Sequence, residues 1–431
     1  DTDTDTDTGP LYTEAQVDKL SYRIHEELET LAYVSWEQLA DAQVWVEYSF
    51  DKDEWHSSPP FDATAGSQEQ LLLGIPYDTD FTWRVVNEFG DGPLATDDQS
   101  AATGAAPEDL PITNVTIADP KNWEPTGNYL YLSVGDYSEM WRLIIDREGR
   151  TVWAQPNDNN VATFYVRLSY SGEDLLYDRV DYFTGVEDVV RMKIDGTVVD
   201  IYDTPGFHHA FTELDDGSIV WGSYISNGET LEKLNPDGTQ ETLWDCEEFE
   251  ADFEEDYGRC RSNALFWDEA SDTFLYSFYT SMTVVHLDAS GNLLHNWGRL
   301  SDWAFNPTDS VWDWQHGVTM TDDGHVMVST HQSLTSVAGV TREYEIDEKS
   351  QALVEVWNFG VGDNVRAPYY GEAHRLPGGN TLQNYGTNAR AREAMPDGTV
   401  VWDVDWRNSD KNAPDLVARS VFIEDLYDYA P

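Results

Sequence analysis

Cations are what this 431-residue chain has least of. Lys and Arg together number 25 against 81 Asp and Glu, a formal net charge of −56, and lysine is rarer than arginine. Phosphate binding needs clustered cations, so nucleic acid is excluded as a partner, and docking on an anionic membrane surface is excluded with it. Long apolar runs are also missing. No stretch reaches the roughly 18 apolar residues of a spanning helix, so no transmembrane segment is expected. There are only two cysteines, Cys246 and Cys260, and no CxxC pair, which excludes structural zinc. EF-hand loops are absent, so structural calcium stays open only through the dispersed carboxylates. No cofactor motif is present. The chain shows neither an initiator methionine nor a leader, and the expectation is a processed product in an extracellular, cell-surface or periplasmic setting.

Aromatics are plentiful, at 13% with 17 Trp, and hydrophobics make up 40%. A chain of this length and composition can bury a sizeable core and is not a disordered acidic polymer. Its carboxylates are spread over the whole length, a surface that stays hydrated in saline, where screening shortens the repulsion between like charges. The two cysteines bracket the acidic loop DCEEFEADFEEDYGRC. In a secreted chain the expectation is a disulfide closing that loop, worth about 3 kcal/mol. Seven Asp and Glu lie between the cysteines. The loop is either a solvated surface feature or a binding place for a divalent cation.

Three regions follow along the chain. Residues 1–14 begin with DTDTDTDTGP, a low-complexity acidic linker that cannot bury apolar area. It resembles the spacers that follow the lipid-modified cysteine of bacterial surface lipoproteins, which would imply a lipid anchor upstream of residue 1. Residues 15–107 read as short strands, Leu31–Trp36, Gln43–Ser49, Glu69–Leu73 and Phe81–Glu88, at the spacing of an antiparallel sandwich. The run LLLGIPYDTDFTWRVVNEFGDGP resembles fibronectin type III domains. That resemblance makes Trp36 the core tryptophan and puts Phe81 where the family usually has its corner tyrosine. A small-residue and proline stretch, AATGAAPEDLP, links this domain to residues 108–431.

That last region repeats. One unit is an apolar strand, an Asp/Gly turn and a second strand, as in HAFTELDDGSIVWGSY, HGVTMTDDGHVMVSTHQ and EAHRLPGGNTLQNYG. A second hairpin follows each, as in EKLNPDGTQETLW and EAMPDGTVVW. The second-hairpin turn glycines fall at Gly149, Gly196, Gly238, Gly291 and Gly398, with Ser350 in the fifth place. Two hairpins per unit and six units predict a six-bladed β-propeller, so the fold class is all-β. An aromatic closes each second hairpin (Trp153, Tyr202, Trp244, Trp297, Trp357 and Trp402), in the place of an inter-blade packing residue. The strand near ARSVFIEDLYDY is expected to pair back to the first blade.

Counting back eight residues from the turn glycine of each first hairpin reaches His209, His316, Gly371 and Phe164, with Asn263 at the corresponding place in the remaining blade. Equivalent offsets on strands point the same way. His209, His316, Asn263 and the neighbouring Arg261 and His208 are therefore expected at one mouth of the central channel.

The order HH…DDG, WQHG…DDGH, RLPGGNTL and DGTVVW resembles the arylsulfotransferases that work without a nucleotide sulfate donor. Those are six-bladed propellers that pass a sulfuryl group from a phenolic sulfate donor to a phenol acceptor through a sulfated histidine. The resemblance covers residues 112–431. It implies that His316 is the nucleophile, that His209 or His208 is a second active-site histidine, and that Asn263 contacts the sulfuryl oxygens. Arg261 stands where the family usually has histidine. Phe278 stands where it has a clamping arginine. Each of these residues also has a plain structural reading, as a polar filler of the channel or a loop anchor. The alternative function is a non-catalytic surface or self-assembling protein on the same propeller. A quinoprotein propeller is excluded, since there is no adjacent cysteine pair and no CxxCH.

The charge itself generates a measurable expectation. A net −56 repels itself more in the compact state than in the expanded one. The thermal midpoint should therefore rise from low salt to molar NaCl or KCl. A flat or falling midpoint in scanning calorimetry would contradict this.

Overall fold

A computed structural model describes residues 12–51, 54–90, 92–136, 139–158, 161–181, 184–225, 228–250, 260–407 and 416–431. The Asp-Thr tract, residues 251–259 of the acidic loop and the side chain of His208 lie outside the described residues. The chain divides into two compact units. One is Asp1–Pro107 with Arg150–Trp153 and Ala430; the other is Glu108–Gly149 with Ala154–Tyr429 and Pro431.

In the first unit, strands Val17–Ile24, Ala32–Gln38 and Gly66–Leu72 form one antiparallel sheet. A second is built on the pair Ala42–Ser49 and Asp80–Phe89. Alternating burial along AYVSWEQ turns Val34 and Trp36 to one face. There they meet Val46, Tyr48, Phe81, Trp83 and Val85 of the other sheet in one apolar cluster. The Tyr48 hydroxyl donates a buried hydrogen bond of 2.7 Å to the Leu73 carbonyl.

The second unit is a β-propeller. Its described strands form six successive sheets of four or five strands each. The turn glycines that set the sequence repeat sit in the left-handed region, Gly217 at φ +83° and Gly238 at +84°. Where Ser350 replaces glycine, Gln351 takes the left-handed conformation instead, at φ 50°. The aromatics that end the second hairpins pack between sheets. Trp244 lies 5.3 Å from the Phe278 ring of the next sheet, and the Trp402 indole donates to the Arg147 carbonyl at 2.9 Å. Trp357 reaches the Pro396 carbonyl in the same manner at 2.8 Å. Cys246 and Cys260 are disulfide-bonded, with 6.3 Å between their Cα atoms.

Both ends of this unit are tied to sheets begun at the opposite end. Strand Ile112–Ala118 pairs with Val400–Arg407 on the outer edge of the last sheet. Strand Leu416–Ile423 pairs with Tyr129–Asp136 as the inner strand of the first. The closing strand carries Arg419, 2% exposed. Its Nη2 donates to the carbonyls of His316 (2.6 Å) and Asn263 (2.8 Å), and its Nη1 to that of Gly371 (3.0 Å). Its Nε lies 3.5 Å from Oε2 of Glu372. Three inner strands thus meet the guanidinium carried by a fourth. Glu372 also pairs with His374 at 3.1 Å and Arg167 at 3.5 Å. Burial opposes its charge, but His374, Arg167 and Arg419 outweigh burial and hold the carboxyl well below the usual range.

Replacing Arg419 with Met should strand three buried carbonyls and weaken the Glu372 cluster. The expected loss is about 3–5 kcal/mol of unfolding free energy. Denaturant titration measures it, and a loss under about 1 kcal/mol would show that closure does not rest on this side chain.

Candidate functional site

The WQHG motif occupies the four residues that lead into the inner strand Gly317–Met320, and each has a distinct task. Trp314 adopts a left-handed backbone at φ 52°. Gln315 is buried and its Nε2 donates to the carbonyls of Phe278 (2.9 Å) and Thr283 (3.2 Å), which locks the segment to the preceding sheet. Gly317 is needed for close approach, because a Cβ there would lie 2.7 Å from the Cα of Glu372. His316, 8% exposed, is fixed between them, its Nδ1 within 2.9 Å of the Trp314 carbonyl.

That contact settles the tautomer. A carbonyl only accepts, so Nδ1 carries the proton and Nε2 holds the lone pair. Burial pushes the His316 pKa down to about 3. The Trp314 carbonyl works the other way, and Arg419 and His331 add to the depression. The imidazole is therefore neutral across the physiological range.

His316 faces a cavity of about 220 Å³ that it shares with His209, Asn263 and Tyr279. Trp314, Tyr369 and Tyr370 complete the lining. The Tyr279 ring is stacked on His316 at 6.1 Å, and Tyr369 meets it edge-on at 6.3 Å. Tyr370 stands between the two histidines, 6.4 Å from His316 and 6.0 Å from His209. Phe164 stacks on both Tyr370 and His209. Phe164 is placed in turn by Asp178, whose carboxylate accepts from the amides of Phe164 (2.9 Å) and Tyr165 (2.5 Å). Three residues of the lining, His209 (φ 68°), Trp314 and Tyr370 (φ 61°), hold left-handed backbones without being glycine. Each such residue costs about 1 kcal/mol or more, and such strain gathers where a side chain must be aimed.

The structure brings His316, His209 and Asn263 to this one cavity. Asn263 is held by both ends of its amide: Nδ2 donates to the Gln315 carbonyl at 2.5 Å, and Oδ1 accepts from Ser277 at 3.1 Å. Arg261 lies at the rim, outside the lining, with its guanidinium 5.0 Å above the Tyr224 ring. Burial opposes its charge; hydrogen bonds to Tyr279 and Tyr224 outweigh this and raise its pKa. Phe278 does not reach the cavity. It is fully buried between Trp244 and Tyr276, so an arginine at that position would be shut into the core.

Sequence reasoning missed the aromatic walls. The signal for two of them was present: Tyr369 and Tyr370 directly precede Gly371, the blade position whose offset residue has no side chain. His331 reads from the sequence as a structural histidine on a turn or outer strand. It packs on Trp314 at 6.5 Å, and its Nε2 meets the Pro368 carbonyl at 3.1 Å. Arg419 gave no sequence signal at all. Among the described residues no group of His, Cys, Asp and Glu is arranged to hold a metal ion.

No protein-family profile matches the chain, and no curated protein does. Among solved structures it is similar to a Bacteroides caccae protein of unknown function, at 14% identity and TM-score 0.47 over 69% of this chain and 100% of that one. Virginiamycin B lyase from Staphylococcus aureus is similar at 10% identity and TM-score 0.40, over 70% of this chain and 90% of that one. The Cps50 (Swd1) β-propeller domain from Myceliophteria thermophila is similar at 12% identity and TM-score 0.44, over 70% and 90%. No function passes to this chain from likenesses of this size.

The buried neutral His316 makes the fold acid-sensitive. Its folded pKa lies below its unfolded one, so between about pH 3 and 6.5 the unfolded chain binds the extra proton and stability falls as pH falls. Relative to a His316→Gln variant, the native chain should lose about 2 kcal/mol more between pH 7 and pH 5. Parallel denaturant titrations at the two pH values test this. Equal losses would mean that His316 is not held neutral.

Proposed function

We propose that this chain is a secreted or cell-surface sulfotransferase of the arylsulfotransferase-like, six-bladed propeller type, preceded by a fibronectin type III-like domain. It would move a sulfuryl group between phenolic compounds. One observation carries the reading. A neutral imidazole, with Nδ1 locked on the Trp314 carbonyl, turns into a 220 Å³ cavity walled by aromatic rings. Such walls suit a phenyl ring, which stacks face-to-face or edge-on against Tyr and Trp.

In the first half-reaction the Nε2 lone pair of His316 forms a bond to sulfur while the sulfur–aryl oxygen bond breaks. The phenolate leaves and takes a proton from His209. In the second half the acceptor hydroxyl gives its proton to His209, its oxygen bonds to sulfur, and the nitrogen–sulfur bond breaks. Neutral histidine is a competent nucleophile near pH 7, and its N–sulfuryl adduct is labile. Arg261, which hydrogen-bonds Tyr279 of the lining, would balance charge on the sulfuryl oxygens. Neither a metal nor an organic cofactor is required by this sequence of steps.

The second reading is a non-catalytic, self-assembling or binding propeller. It is favoured by one observation: among the described residues no arginine or lysine is part of the cavity lining, and the clamp position is the core residue Phe278.

Incubation with 4-nitrophenyl sulfate and phenol separates the two. Turnover is expected, together with a peptide containing His316 that gains the mass of one sulfuryl group on rapid quenching. His316→Ala should abolish both, and His209→Ala should slow turnover by about 10²–10⁴. Wild-type turnover in His316→Ala would refute the assignment, and no turnover in the parent would leave the binding reading.

A further inference from the structure

A second cavity, of about 230 Å³, lies on the other side of Trp314 and Tyr369, which line both. Its distinctive residue is Asp313. The backbone of Asp313 is pinned: its amide donates to Thr330 Oγ1 at 2.8 Å, and its carbonyl accepts from Thr330 Oγ1 at 2.8 Å and from the His331 amide at 2.9 Å. One oxygen of the carboxylate is left over. The residue is 3% exposed and lines the cavity, yet Oδ1 is closed off from solvent with no hydrogen-bond partner among the described residues. Across the same space stand Leu334, 77% exposed, and the rings of Trp314 and Tyr369.

A buried carboxylate oxygen without a donor is costly, by about 1–3 kcal/mol. Hydroxyl and imidazole groups are near, but His331 Nε2 is already committed to the Pro368 carbonyl. A divalent cation would need several oxygen ligands, and among the described residues Asp313 is the only carboxylate of the lining. An ammonium group satisfies a single carboxylate and is attracted to the faces of Trp and Tyr. An apolar body attached to it would lie against Leu334.

We propose that this cavity is a binding site for a primary arylalkylamine, with the ammonium on Asp313 and the apolar portion between Trp314, Tyr369 and Leu334. The site is separate from His316 and is filled whether or not sulfuryl transfer occurs. Burial raises the Asp313 pKa, against the lowering pull of His331 and Arg299, as expected for a carboxyl lacking its donor.

Calorimetric titration with tyramine and with 4-ethylphenol, which lacks the amine, tests the site without any use of turnover. Tyramine should bind the full chain more tightly than 4-ethylphenol by about tenfold or more. Asp313→Asn should remove that advantage and leave 4-ethylphenol binding unchanged. Leu334→Lys, at an exposed position that folding does not depend on, should supply a competing ammonium and weaken tyramine by a similar factor. Equal binding of the two ligands by the native chain would overturn the proposal. So would undiminished tyramine binding in Asp313→Asn or, where that variant fails to fold, in Leu334→Lys. Loss of sulfuryl transfer alone would leave the proposal standing.

Discussion

The propeller and its cavity both depend on the guanidinium of Arg419. Inner strands converge at the channel with carbonyls that have no neighbouring strand to receive them, and a buried carbonyl without a donor is costly. A guanidinium presents five donors in one plane, enough to serve several strands at once. Arg419 enters on the strand that closes the ring, so the donors arrive only when the last strand is in place. Its own charge is answered by Glu372, which in turn engages Arg167 and His374. Ring closure, the backbone position of His316 and the ionisation of Glu372 are one coupled arrangement.

Around that centre the chemistry is set by exclusion. His316 is neutral chiefly because it is buried, and its free nitrogen is specified because the other one is tied to a carbonyl two residues away. The aromatic rings that bury it also form the cavity. Strained backbones at His209, Trp314 and Tyr370 are tolerated because stacking among Phe164, Tyr370 and the two histidines offsets them. The Trp314 ring then has a second use, as the partition between the histidine cavity and the Asp313 cavity.

The global charge bears differently on the two ligand classes. At low ionic strength a net −56 repels an anionic sulfate ester and attracts an ammonium. In saline the repulsion reaches only about 3 Å at 1 M, so an anion can approach a cavity whose lining, among the described residues, holds two histidines and no carboxylate. The dispersed acidity thus suits a salt-rich setting, and it favours an amine at Asp313.

Much of this protein is determined by its sequence alone. The Asp/Gly turns specify left-handed backbones wherever they occur, and two hairpins per repeat can bury their faces only by stacking sheet on sheet. Alternation along each strand is local, so the common offset of His209, Asn263 and His316 can be counted without coordinates. Tertiary structure decided the rest, because it turns on groups far apart in the chain. Arg419 lies 103 residues from His316, and nothing near it in sequence marks its role. Phe278 packs into the core while its neighbour Tyr279 lines the cavity, since one step along a strand exchanges one face for the other. Tyr279, Tyr369 and Tyr370 become a wall only when two loops far apart in the chain meet. Protonation is likewise a tertiary property, because a histidine in any sequence titrates near 6.5 until burial and a fixed carbonyl move it.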